Sequence, residues 1–215
     1  MPETSIIERA LPPQSLILFH GLGSDGDDMR GLAQSLSWFG RLLCPNAPPR
    51  PVTINAGYVM RAWFDILGLT PDAPVDEAGI RQAVAQARQL IEAERAAGVP
   101  AARIFIGGFS QGGVVALHAA LRHPECLGGV LALSTWLPLR QTLAAEHSEV
   151  ALGTPIFMGH GTRDTTVPLA SAERARDALR ELGCRDLVFR TYPITHSVSG
   201  EEVADLRVWL AHHLG

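Results

Sequence analysis

The sequence has no lysine: all 18 of its basic residues are arginines. That absence removes whole classes of chemistry. Schiff-base catalysis, anchoring of pyridoxal phosphate and a Walker-type phosphate loop each need a lysine amine. Cysteine is almost as scarce. Cys44, Cys126 and Cys184 are scattered and form no C-x-x-C pair, which excludes a disulfide framework or zinc site and leaves small, buried or half-buried thiols. No apolar run approaches the ~20 residues that span a bilayer. The start, "MPETSIIERALPP", lacks the basic and apolar regions of a signal peptide. A net charge of -4 gives no basic footprint for nucleic acid or acidic lipid. These absences predict a cytoplasmic protein with no nucleic-acid partner and no stable membrane anchoring.

What is present suits one globular domain, residues 1–215, with 47% apolar and 19% charged residues. Short apolar runs bounded by Gly or Pro read as strands: 15–20, 41–45, 103–108, 128–135, 154–161 and 187–193. Helical patterns alternate with them. Residues 76–97 carry Ile80, Val84, Ala87 and Ile91 on one stripe. The last helix opens with Ser199 and Glu202 in capping-box spacing. Strand–helix alternation predicts an α/β fold with a mostly parallel, doubly wound sheet and helices on both faces. Working residues of such sheets sit in loops at the carboxyl ends of the strands. The Pro-, Gly- and aromatic-rich stretch 45–74 is expected to be an irregular loop docked beside a site.

After the first strand, "HGLGSDGDD" contains Gly21, Gly23 and Gly26, a literal G-x-G-x-x-G. A dinucleotide-binding turn would need an acidic residue ending the second strand, where "RLLCPNAPP" has none. Asp25, Asp27 and Asp28 also crowd the place a diphosphate would occupy. A nicotinamide or flavin enzyme is therefore rejected, and no cofactor or metal is expected.

Gly108-Phe109-Ser110-Gln111-Gly112 is a G-x-S-x-G between a predicted strand and a predicted helix. A nucleophile on so tight a turn tolerates little bulk two residues to either side. A serine hydroxyl needs a base and the base an orienting acid, here expected in the chain order Ser, Asp, His. Asp164 follows the 154–161 strand, whereas Asp177 falls within a helix and Asp186 at the wrong end of the sheet. His196 follows the last strand. His118 and His123 belong to the helix after Ser110, and His212 and His213 to the last helical turn. The triad read from spacing is Ser110, Asp164 and His196, with the Gln111 amide as one oxyanion donor.

The motifs "FHGLGSDGDD", "RPVTINAGYVMRAWFDI", "GGFSQGG", "LSTWLPL", "GHGTRDTTVP" and "THSVSGEE" together resemble bacterial carboxylesterases of the acyl-protein thioesterase/lysophospholipase family, an α/β-hydrolase family, from about residue 15 onward. The resemblance implies the same triad, a second oxyanion amide at Leu22, and Val167 in the acyl pocket. Thr162-Arg163 departs from the acidic residue many relatives carry before the aspartate, which would alter charge at the pocket mouth. The interval after the 128–135 strand is too short for a cap domain, so an open groove is expected beside Trp136-Leu137-Pro138. Trp63 and Trp136 read as groove contacts or as ordinary packing, and Leu137 as a substrate contact. The expected activity is cleavage of small carboxylic esters, with acyl-protein thioesterase or lysophospholipase as the alternative main activity. A non-catalytic binding protein and a lyase or perhydrolase on the same fold are the rival readings. Relatives by resemblance are monomers or homodimers.

Overall fold

The computed structural model describes residues 13–68 and 73–214. Residues 1–12 of the N-terminal stretch that lacks signal-peptide features, and residues 69–72 of the 45–74 segment, lie outside the described residues.

The chain runs β1 (Ser15–Phe19), α1 (Gly26–Ser35), β2 (Arg41–Leu43), β3 (Pro49–Val52), β4 (Tyr58–Arg61), α2 (Glu77–Ala96), β5 (Ile104–Phe109), α3 (Gln111–Leu121), β6 (Gly129–Leu133), α4 (Arg140–Glu146), β7 (Ile156–Gly161), α5 (Leu169–Leu182), β8 (Leu187–Tyr192) and α6 (Gly200–Leu214). Six strands form one sheet in the order β2-β1-β5-β6-β7-β8, every pair parallel. The apolar runs are near-continuous because both faces of the sheet are covered. Within β1, Leu16 and Leu18 enter one core while Ile17 and Phe19 enter the other. The helices α1 and α6 cover the first face; α2, α3 and α5 cover the second.

Strand order reverses between β1 and β5, so the crevice above their carboxyl ends is the switch point where such sheets hold ligands. The register sets Phe19 beside Gly108, Phe109 beside Leu133, and Gly161 beside Tyr192. The loops that follow all emerge at that edge. Helix α3 starts directly under the crevice, and all of its residues are buried, as expected of a helix apolar all round. Between β6 and β7 there is only α4 and a 3-10 turn, Val150–Gly153, so the sheet carries no cap domain.

From residue 45 to 68, the described part of the 45–74 segment is more ordered than its composition predicts. β3 and β4 pair as an antiparallel hairpin with Pro49 opposite Arg61 and Pro51 opposite Val59. Proline is tolerated there because only alternate residues of the ribbon turn their N–H toward the partner. Ala56 and Gly57, both at positive φ, close the turn. The hairpin is tied to the switch point: Gly23 N–H donates to Arg61 O at 2.9 Å, and the Arg61 guanidinium donates to Ala47 O at 3.0 Å. No helix among the described residues is long and apolar enough to cross a membrane.

Candidate active site

Ser110 sits between β5 and α3 at φ 54° and ψ -115°, a strained conformation that an L-residue adopts only when its surroundings enforce it. They do. A Cβ on Gly108 would lie 2.4 Å from the Gly112 carbonyl carbon, and one on Gly112 would lie 1.9 Å from Phe19 O. Ser110 N–H donates to Leu133 O at 2.8 Å, and Thr135 Oγ1 donates to Ser110 O at 2.7 Å. Strand β6 and the turn that follows it thus hold the elbow from both ends of the residue.

Asp164 lies in the loop after β7 with its carboxylate buried. Its Oδ1 accepts from the amides of Thr166 at 2.9 Å and Val167 at 2.8 Å. Its Oδ2 is left for His196 Nδ1, at 2.7 Å. The ring of His196 stands 4.6 Å from the ring of Phe109, and Ser110 and His196 line one groove. The structure thus joins Asp164 and His196 by a hydrogen bond and sets Ser110 and His196 on one groove. It keeps the other acids away: Asp177 pairs with Arg176 on α5, and Asp186 precedes β8 at the opposite edge.

The turn after β1 is braced by a histidine that sequence reasoning passed over. Ala47 N–H donates to His20 Nε2 at 3.0 Å, so the proton resides on Nδ1, which lies 2.7 Å from Gly21 O. Burial lowers the His20 pKa below its ordinary value, favouring this neutral form. In a planar trans peptide, fixing Gly21 C=O toward His20 sends Leu22 N–H the opposite way. The amides of Leu22 and Gln111 donate to no backbone carbonyl among the described residues. Gly23, at φ +73°, completes the turn, and Asp25 caps α1 by accepting from the amides of Asp27 and Asp28. The glycine motif thus builds a turn beside the serine, and the helix N-terminus it precedes is already occupied by the chain's own carboxylate.

Trp63 departs from the groove-contact reading. It is 2% exposed, lies outside the groove lining, packs edge-on against Phe19, and donates its indole N–H to His20 O at 2.9 Å. Gln111 reaches the same segment: its Oε1 accepts from Trp63 N–H at 3.1 Å and its Nε2 donates to Phe64 O at 2.8 Å. Trp136, Leu137 and Val167 do line the groove, which measures about 1230 Å³. Arg163 is exposed and outside the lining; Asp28, Glu77, Arg140 and Arg174 are the charged residues along it.

Three more buried polar residues support the loops. His118 Nε2 lies 3.0 Å from Pro138 O while Nδ1 faces the Arg122 guanidinium at 2.6 Å. Burial and that neighbouring cation push its pKa down to about 3, so the neutral ring holds the Leu137–Leu139 turn. His160 Nε2 is 2.8 Å from Val167 O, under Asp164, and burial lowers its pKa as well. Glu202 reverses half of the expected capping box. Ser199 Oγ does accept from Glu202 N–H at 3.1 Å, but the Glu202 carboxyl turns inward against Gly159. It is fully buried, its oxygens have no protein partner among the described residues, and desolvation raises its pKa to about 7.

An all-parallel sheet between two helical layers, with a strained serine elbow at its switch point, defines the α/β-hydrolase class of serine hydrolases. Within that class the chain belongs to the phospholipase/carboxylesterase family, whose model matches residues 1–214. It is 37% identical to acyl-protein thioesterase 1 of Mycosarcoma maydis, over 93% of this chain and 90% of that protein. It is 35% identical to a probable carboxylesterase, SOBER1-like, of Arabidopsis thaliana, over 93% of this chain and 78% of the relative. Among solved structures, Arabidopsis thaliana SOBER1 superposes with a TM-score of 0.89 at 32% identity, covering 94% of this chain and all of that one. Acyl-protein thioesterase 2 of Zea mays gives 0.85 at 29% identity, covering 98% and 97%. The protein is a hydrolase of the esterase/thioesterase type, acting on ester bonds.

Proposed function

We propose that Ser110, His196 and Asp164 carry a two-step acyl transfer. Ser110 attacks the ester carbonyl as His196 takes its proton; His196 then protonates the leaving group and activates the water that clears the acyl-enzyme. Asp164 fixes the imidazole with its Nδ1 protonated. The amides of Leu22 and Gln111 receive the oxyanion, a contribution of about 3 kcal/mol per donor in comparable sites. Trp136, Leu137 and Val167 flank the acyl group. The observation that carries this reading is the division of labour at Asp164. One carboxylate oxygen is held by two amides, and the other takes the His196 ring at 2.7 Å with His160 Nε2 farther off at 3.5 Å, an arrangement that a non-catalytic module has no use for.

The substrates are carboxylic esters of short to medium acyl chains, within reach of an uncapped groove. Thioesters are the second reading, favoured by the acyl-protein thioesterases among the relatives; lysophospholipids, whose leaving group carries a phosphate, are the third. A kinship with the bacterial carboxylesterases of the family is supported by the run of motifs from residue 15 onward. It acts as one domain, since both cores share one sheet, and in the cytoplasm, in keeping with three unpaired thiols. The test is turnover of p-nitrophenyl esters and matched thioesters of increasing chain length by the parent and by Ser110→Ala. Activity is expected to fall by several orders of magnitude in the variant, together with loss of labelling by a serine-directed phosphonate. Full activity in Ser110→Ala sinks the proposal.

A further inference from the structure

The groove crosses from one face of the sheet to the other, and its two flanks belong to different cores. On one flank Trp136, Leu137, Leu139 and Ala175 pack on the core of the α2, α3 and α5 face. On the other, Met29 and Leu32 of α1, Val203 of α6, and Phe109 and Val198 pack on the core of the α1 and α6 face. His196 stands on the second flank, its ring against Phe109 and its chain running on into Val198. This position has a chemical consequence. The atom that leaves must take its proton from the imidazole, so it lies within hydrogen-bond reach of the ring. The chain attached to that atom departs on the imidazole's side, while the acyl chain, on the far side of the carbonyl, runs toward Trp136.

Resting on the acyl-transfer reading above, we infer that Met29, Leu32, Val198 and Val203 form a second, leaving-group arm, and that the enzyme takes substrates with an apolar chain on the alcohol or thiol as well as on the acyl part. Charge narrows the class further. The two arginines of the lining, Arg140 and Arg174, belong to α4 and α5, whereas α1 contributes Asp28. A leaving group bearing a phosphate would meet a carboxylate and apolar walls. A neutral, apolar alcohol or thiol fits.

Two constitutional isomers separate the arms, because they have the same atoms and differ only in which side of the ester holds the long chain: ethyl octanoate and octyl acetate. The parent enzyme is expected to cleave both. Leu32→Asp and Val203→Asp, both at half-buried positions, should each lower the ratio of kcat/KM for octyl acetate to that for ethyl octanoate by about tenfold, the loss expected when methylenes meet a polar wall. Leu139→Asp, on the other flank, should raise that ratio. Using a ratio within one protein removes any difference in the amount of folded enzyme. A ratio that stays within about twofold of the parent in both α1/α6-side variants, including a case in which both rates fall together, overturns the arm. A parent that cleaves ethyl octanoate but leaves octyl acetate untouched also overturns it and leaves the acyl-transfer reading standing. A parent that cleaves neither isomer overturns the arm; if it also turns over none of the p-nitrophenyl esters and thioesters, the acyl-transfer reading falls with it.

Discussion

A methyl group on Gly112 would sit 1.9 Å from the carbonyl oxygen of Phe19. Backbone cannot swing aside as a side chain can, so Gly112→Ala must push β1 away from α3. The expected cost is about 3 kcal/mol, a fall in Tm of roughly 6–12 °C for a chain of this size. Activity should fall as well, because β1 ends in the turn that presents Leu22. Gly31→Ala is the matched comparison: nothing lies within 4 Å of its Cβ, and Tm should hold or rise with the better helix former. Differential scanning calorimetry of the two variants checks both. At this scale the sequence is informative wherever chemistry demands one residue type at one place. The Gly-x-Ser-x-Gly turn and the acid and histidine after later strands are of that kind. An aromatic such as Trp63 carries no mark of which way it faces, and its indole N–H went to His20 O. Ser199 and Glu202 had the right spacing for a reciprocal cap, yet Gly159 leaves room under Glu202, and the carboxyl took it.

Helix α3 and the segment that follows the β3–β4 hairpin meet through the Gln111 side-chain amide, which accepts from Trp63 N–H and donates to Phe64 O. Gln111→Glu keeps the acceptor but turns the donor into a second oxygen facing a carbonyl. Above the titration range of that new acid, the variant should lose about 2–4 kcal/mol. At acid pH its proton can again be given to Phe64 O, so the deficit should shrink as pH falls. Thermal melts of parent and variant across pH 4–8 show whether the gap closes. The elements of the main sheet were legible because a two-sided strand is an apolar run punctuated by Gly or Pro, and each of the six runs overlaps a strand of the main sheet. The hairpin was not, because Pro49 and Pro51 count against a strand unless the partner on one edge alone is known. That partner, Arg61 opposite Pro49, is a tertiary fact. Hydrophobic period cannot supply it.

Among the described residues, Glu202 is a carboxyl group whose burial makes the stability of the whole molecule fall as pH rises. Folding raises the Glu202 pKa from 4.5 to about 7. Between those values the folded chain retains a proton that the unfolded chain has released, so stability falls as pH rises through this window and stays lower above it. Asp205, bonded to the Tyr192 hydroxyl at 2.8 Å, adds a like charge nearby and acts in the same direction. Glu202→Gln removes the term. Its Tm relative to the parent should climb from pH 4.5 to pH 8, by an amount corresponding to on the order of 3 kcal/mol; a difference that does not change with pH would assign the carboxyl a charge in the folded state. The catalytic end of the fold has a different kind of dependence on the whole. Ser110 is the cap of α3, and no residue of α3 reaches the surface. There is no local route by which the nucleophile comes loose, since whatever frees it must first draw out the helix at the centre of the sheet. Turnover is then an all-or-none property of each molecule. A heated sample at half its activity is a mixture of unfolded chains and enzymes working at full rate, with KM unchanged.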